Sequence, residues 1–107
     1  MDKELLRPMK LTLFFLLGTL TAFAQKDAKD IYLDKCAVCH GADGAAKTAK
    51  GKKLKMKDVH ETVAKMKPEE MMKIVEAGKP PDMDAYGKDF SKDQIKALVE
   101  YYRGLAK

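Results

Sequence analysis

Three side chains capable of covalent and metal chemistry fall within five residues, in the run Cys36-Ala37-Val38-Cys39-His40. Two thiols three positions apart, followed at once by an imidazole, form the C-x-x-C-H pattern. In it the thiols add across the two vinyl groups of a haem and the imidazole becomes the proximal ligand of the iron. Three other uses of such cysteines compete. A dithiol redox couple is expected beside a strand–helix–strand pattern, which the sequence lacks. A zinc site needs a second pair of ligands, and the only other histidine, His60, stands alone. A plain disulfide between Cys36 and Cys39 would close a very small loop and stabilise little. The residues therefore predict one covalently attached haem c with its iron.

Haem iron has a second axial position, and Met56, Met66, Met71, Met72, Met83 and His60 are the candidates. Met66, Met71 and Met72 lie at the start of an amphipathic segment, where methionine ordinarily fills a core. Met83 lies in Gly78-Lys79-Pro80-Pro81-Asp82-Met83-Asp84-Ala85-Tyr86-Gly87. A glycine followed by paired prolines predicts an extended, rigid loop that can press one thioether onto a metal face. His60 sits in Lys57-Asp58-Val59-His60-Glu61-Thr62, a polar connection or helix start, where a lone imidazole is ordinarily solvated.

The elements that must hold these groups are helical. Ala28, Ile31, Tyr32 and Lys35 recur at helical spacing, and with Asp27 as a cap they predict a helix over about 27–36 that delivers the cysteines. Pro68, Glu69 and Glu70 read as a first helical turn. A Met66–Met71 staple and the terminator Gly78 complete that helix. Ser91-Lys92-Asp93-Gln94 has the form of a capping box, and Ile95, Leu98, Val99, Tyr102 and Leu105 trace one face of a final helix of about fifteen residues. No alternating strand pattern of useful length occurs, so the fold class is all-α.

From about Lys26 to the C-terminus the chain resembles the class I cytochromes c, in particular the small single-haem bacterial ones. The resemblance rests on the helix ending in Cys36–His40, on Gly41-Ala42-Asp43-Gly44, and on a loop methionine placed before an aromatic and a final amphipathic helix. It implies a small bundle of three to four helices wrapped around one haem, with Met83 in the place of the family's ligand methionine. The family commonly has proline directly after that methionine; here Asp84 follows. A backbone carbonyl is expected to accept the free ring N–H of His40, but no proline lies between His40 and Pro68 to supply it in the family's usual way. An iron with both axial positions filled suits single-electron transfer rather than bond-making, which implies an electron carrier and not an enzyme. The soft thioether and an apolar shell expected from Ile31, Leu54, Met71, Ile74, Leu98 and Val99 push the potential upward. The rival reading is a haem enzyme or small-ligand sensor with an open iron site.

The chain has 107 residues, 46% hydrophobic and 35% charged, which excludes a multidomain enzyme. Residues 1–10 carry Lys3, Arg7 and Lys10, and an uncharged run follows from Leu11 to Ala24. As a helix that run would rise about 21 Å at ~1.5 Å per residue, short of the ~30 Å hydrocarbon core. With small residues at Ala22 and Ala24 it predicts a secretory signal, residues 1–24, cut before Gln25, and a single domain over 25–107 in the periplasm or otherwise exported. Lys47, Lys50, Lys52, Lys53, Lys55 and Lys57 put six cations into eleven residues. They form a solvated loop or a docking patch for redox partners with acidic surfaces. Nucleic acid is not expected as a partner, since no aromatic residue interleaves with these lysines. A monomer is expected, meeting membranes only through partner complexes.

Overall fold

The computed structural model describes residues 28–107. Five helices make up this region. Residues 28–40 form α1, which contains a π-helical turn at Tyr32–Cys36 and ends in an α-helical turn at Ala37–His40. Then come α2 (Ala49–Lys53), α3 (Val59–Lys65), α4 (Pro68–Ala77) and α5 (Lys92–Gly104). Among the described residues there is no strand, only an isolated antiparallel bridge between Lys79 and Met83. The expected export segment at residues 1–24 lies outside the described residues.

The all-α expectation holds, with two more helices than the three long segments that could be read from periodicity. Both additions are short: α2 lies in the lysine-rich stretch expected to be a loop, and α3 follows it, where the residues from Lys57 to Thr62 read as a polar connection or a helix start. Their caps explain why they form. The Thr48 hydroxyl accepts from Gly51 N at 2.9 Å, and the Asp58 carboxylate accepts from His60 N at 2.7 Å. Pro68 opens α4 as expected, with Glu69 and Glu70 in the first turn. At the start of α5, Ser91 Oγ accepts from Gln94 N at 3.2 Å and Gln94 Oε1 accepts from Ser91 N at 2.9 Å, which completes the predicted capping box.

The core is small: Ala28, Tyr32, Ala46, Val59, Met71, Ile95, Leu98 and Val99. Three of these come from the apolar stripe of α5, which packs against α1, α3 and α4. Tyr32 of α1 meets Tyr101 and Tyr102 of α5 with ring centroids 5.3 and 6.1 Å apart. Tilted aromatic pairs at such distances add to the area they bury. Ala28 and Tyr32, one helical turn apart, form the buried edge of α1 and leave Ile31 half-buried beside it.

Gly51 sets how closely α2 lies against the end of α1. A Cβ there would overlap the carbonyl oxygens of Cys39 and Ala46, the latter at 2.7 Å, and neither backbone can swing aside. Gly51→Ala is expected to cost about 1–3 kcal/mol, the range for overpacking. Denaturant unfolding checks this; an unchanged midpoint would show that α2 is free to shift.

Candidate functional site

The site begins with the backbone at the end of α1, where a helix leaves carbonyls without intrahelical partners. The Thr48 hydroxyl donates to Val38 O at 2.8 Å and stands 3.1 Å from Cys39 O. Ala46 N donates to His40 O at 2.9 Å, and the Tyr32 hydroxyl donates to Gly41 O at 2.6 Å. One threonine, one tyrosine and the return of the chain at Ala46 thus hold the backbone that carries Cys39 and His40. Burial pushes the Tyr32 phenol above the usual tyrosine range, so it remains a donor. Thr48 is not singled out by the sequence, and no local pattern tells that its hydroxyl reaches back ten residues.

Both cysteines are free thiols, half-buried. Burial, then the neighbouring Cys39, push the Cys36 thiol up to about 11. A reactive redox thiol has its pKa lowered instead, so this environment does not suit a dithiol couple. Among the described residues no three His, Cys, Asp or Glu side chains come together as a metal-binding group, so the cysteines have no zinc partners there. Burial lowers the His40 pKa, which favours the neutral imidazole that a metal requires. The His40 ring lies edge-on to Tyr102 at 5.2 Å.

The expected carbonyl acceptor for His40 is not present: Nδ1 is buried without a hydrogen-bond partner.

The opposite wall is the segment after α4. Gly78 ends that helix with φ +72°, and a Cβ on it would lie 2.7 Å from Met83 O and 2.8 Å from Ala85 N. Lys79 N donates to Met83 O and Met83 N to Lys79 O, both at 2.9 Å. The segment predicted to be extended is therefore a tight turn closed by two backbone hydrogen bonds, with Pro80 and Pro81 at its tip, joined by a cis bond. It is tied to α4 by Tyr86 N to Val75 O, 2.9 Å, and Gly87 N to Glu76 O, 3.1 Å.

Between these walls lies a cavity of about 620 Å3 lined by Cys36, Cys39, His40 and Met83 together. Its size falls within the ~300–1,000 Å3 typical of sites for organic ligands. Leu54, Met71, Ile74, Leu98 and Val99 of the expected apolar shell line it; Ile31 does not, because it sits to the side of the buried edge of α1. Of the other candidate ligands, His60 is exposed, its Nδ1 is 2.7 Å from Asp58 Oδ1, and neither it nor Met72 reaches the cavity. Met56, Met66 and Met71 do line it, but Met71 is buried with its Sδ 3.8 Å from Arg103 Nη1. The same guanidinium nitrogen donates to Met66 O at 3.1 Å. Of the six lysines, Lys50, Lys55 and Lys57 line the cavity, and Lys47, Lys52 and Lys53 do not.

Two free thiols, a neutral imidazole and a thioether around one mainly apolar cavity fit a haem, and together with the helical fold they define a c-type cytochrome. The family model described as "Cytochrome C oxidase, cbb3-type, subunit III" matches residues 23–101. The chain belongs to this cytochrome c family, whose members bind haem c and transfer electrons. The solved structure of KustC0563 c-type cytochrome is similar to it, with 30% identity, a TM-score of 0.68, and coverage of 75% of this chain and 98% of that one. No curated protein matches.

Tyr32→Phe removes the donor but leaves the Gly41 carbonyl buried, which should cost about 1–3 kcal/mol. Comparing denaturation midpoints of the two proteins checks this, and equal stability would mean that the hydroxyl does not hold the end of α1.

Proposed function

We propose that the chain is an exported carrier of single electrons that holds one haem c through thioethers from Cys36 and Cys39, with His40 and Met83 as the axial ligands of its iron. The observation that carries this reading is that these four side chains, three from the end of α1 and one from the turn after α4, line one cavity. When bound, the haem supplies a one-electron couple. The chain's own residues set the conditions for it. His40 offers a neutral imidazole, and the lack of an acceptor at its Nδ1 withholds the gain in basicity that such a partner confers. The Met83 thioether is soft and favours the reduced metal, and Leu54, Ile74, Leu98 and Val99 exclude water. All three effects push the potential upward. With both axial positions occupied no substrate reaches the metal, which is why the reading is a carrier rather than an enzyme.

The cationic stretch of Lys47, Lys50, Lys52, Lys53, Lys55 and Lys57 is exposed, and three of its members stand on the cavity wall. It suits weak, salt-sensitive docking of a redox partner with an acidic surface close to the haem. No helix of the described residues is long and apolar enough to cross a membrane. The leading segment, residues 1–24, supports export, and a monomer that meets membranes through its partners is the assembly this reading carries.

Two experiments test it. Intact-mass analysis of the exported protein should give residues 25–107 plus one haem, and the double variant Cys36→Ala, Cys39→Ala should be haem-free and largely unfolded; a well-folded haem-free variant would sink the idea that the cofactor centres the core. Met83→Ala should retain covalent haem, lower the potential and make the reduced iron bind carbon monoxide. An unaltered spectrum would move the sixth ligand to another residue.

A further inference from the structure

Lys55 is out of place by backbone chemistry. It has φ +55°, in the left-handed region that costs an L-residue with a Cβ roughly 1–2 kcal/mol. The local hydrogen bonds explain the conformation. After α2, with Leu54 as its cap, Lys55 N donates to Lys52 O at 3.1 Å and Met56 N to Gly51 O at 3.0 Å. This is a Schellman turn, and its left-handed position is ordinarily glycine. Attraction to a helix C-terminus accounts for lysines in the last turn, such as Lys50, Lys52 and Lys53, but it needs no lysine at the left-handed position.

The strained residue also lines the haem cavity. Five lysines do so, and three have acids close by: Lys35 lies 3.6 Å from Asp34, Lys57 lies 3.9 Å from Glu61, and Lys79 shares its loop with Asp82 and Asp84, which line the cavity as well. Lys79 makes no ion pair among the described residues, and neither do Lys50 and Lys55, which also have no acid in their own turn. They belong to one turn, in which Leu54 N donates to Lys50 O at 3.0 Å. Haem carries two propionate carboxylates, and a carboxylate removed from water needs a cation or donors beside it. The cavity wall thus offers two cations without acidic partners to a group that brings two anions.

We propose that Lys55, with Lys50 from the same turn, binds the propionate carboxylates of the haem. The inference rests on the haem reading above. It accounts for a lysine at a position where glycine would relieve strain: the ammonium is kept for the cofactor.

Lys55→Gly and Lys55→Gln in the holoprotein test it, with Lys52→Gln as the control, because Lys52 belongs to the same turn and does not line the cavity. Glycine is at ease at φ +55°, so the first variant keeps the turn. Two readouts apply: the propionate-bending band in the resonance Raman spectrum, and the midpoint potential at fixed pH and salt. Both Lys55 variants should shift the band and lower the equilibrium constant for reduction about threefold relative to the control, about 28 mV at 59 mV per tenfold. Lys55 variants that match Lys52→Gln in both readouts, with haem still covalently bound by mass, overturn this proposal alone. Wild-type protein without a haem adduct overturns it together with the haem reading.

Discussion

Four backbone carbonyls at the end of α1, those of residues 38–41, fix the geometry of the backbone that carries Cys39 and His40. A helix that stops at His40 leaves its last carbonyls open, and Cys39 and His40 can hold a fixed orientation only if those groups are engaged. Thr48, Ala46 and Tyr32 engage them. This explains why α2 must lie so close that only glycine fits at position 51, and why Tyr32 belongs to the core rather than to a surface turn. His40 Nδ1, by contrast, is buried without an acceptor.

The second wall is built by different means. Gly78 combines a left-handed backbone with close approach to the Met83 main chain, and the paired hydrogen bonds of Lys79 and Met83 close the turn between them. The two walls have no local sequence connection. The stripe of α5 joins them by packing against both α1 and α4, with Leu98, Val99 and Tyr102 reaching the cavity between. A haem in the cavity would supply part of the apolar surface needed to close so small a core, as expected for a domain of this size.

Much of this was readable in the residues. The capping box at Ser91 and the periodicity of α5 are local patterns whose physics acts within a few residues, and the structure agrees with both. The Met83 segment was recognisable as a rigid loop from its glycine and prolines, but its closure depends on a pair of hydrogen bonds that no single-residue preference encodes. The helix α2 was missed because a lysine-rich stretch lacks an apolar stripe, and α3 was left open between a polar connection and a helix start; caps at Thr48 and Asp58 decide such short elements. Ile31 was assigned to the cofactor shell on helical spacing, yet it stands beside the buried edge that runs through Ala28 and Tyr32. The partner of Tyr32 and the orphaned nitrogen of His40 are long-range outcomes, invisible without the fold.

The central claim is that Met83 completes the coordination begun by His40. It is tested most directly by the near-infrared and visible absorption of the oxidised holoprotein, followed by exposure of the reduced form to carbon monoxide. The account predicts a low-spin ferric spectrum with the weak sulfur-to-iron charge-transfer band and no response to carbon monoxide. A high-spin spectrum, or a reduced iron that binds carbon monoxide readily, would contradict it and assign the cavity an open metal site.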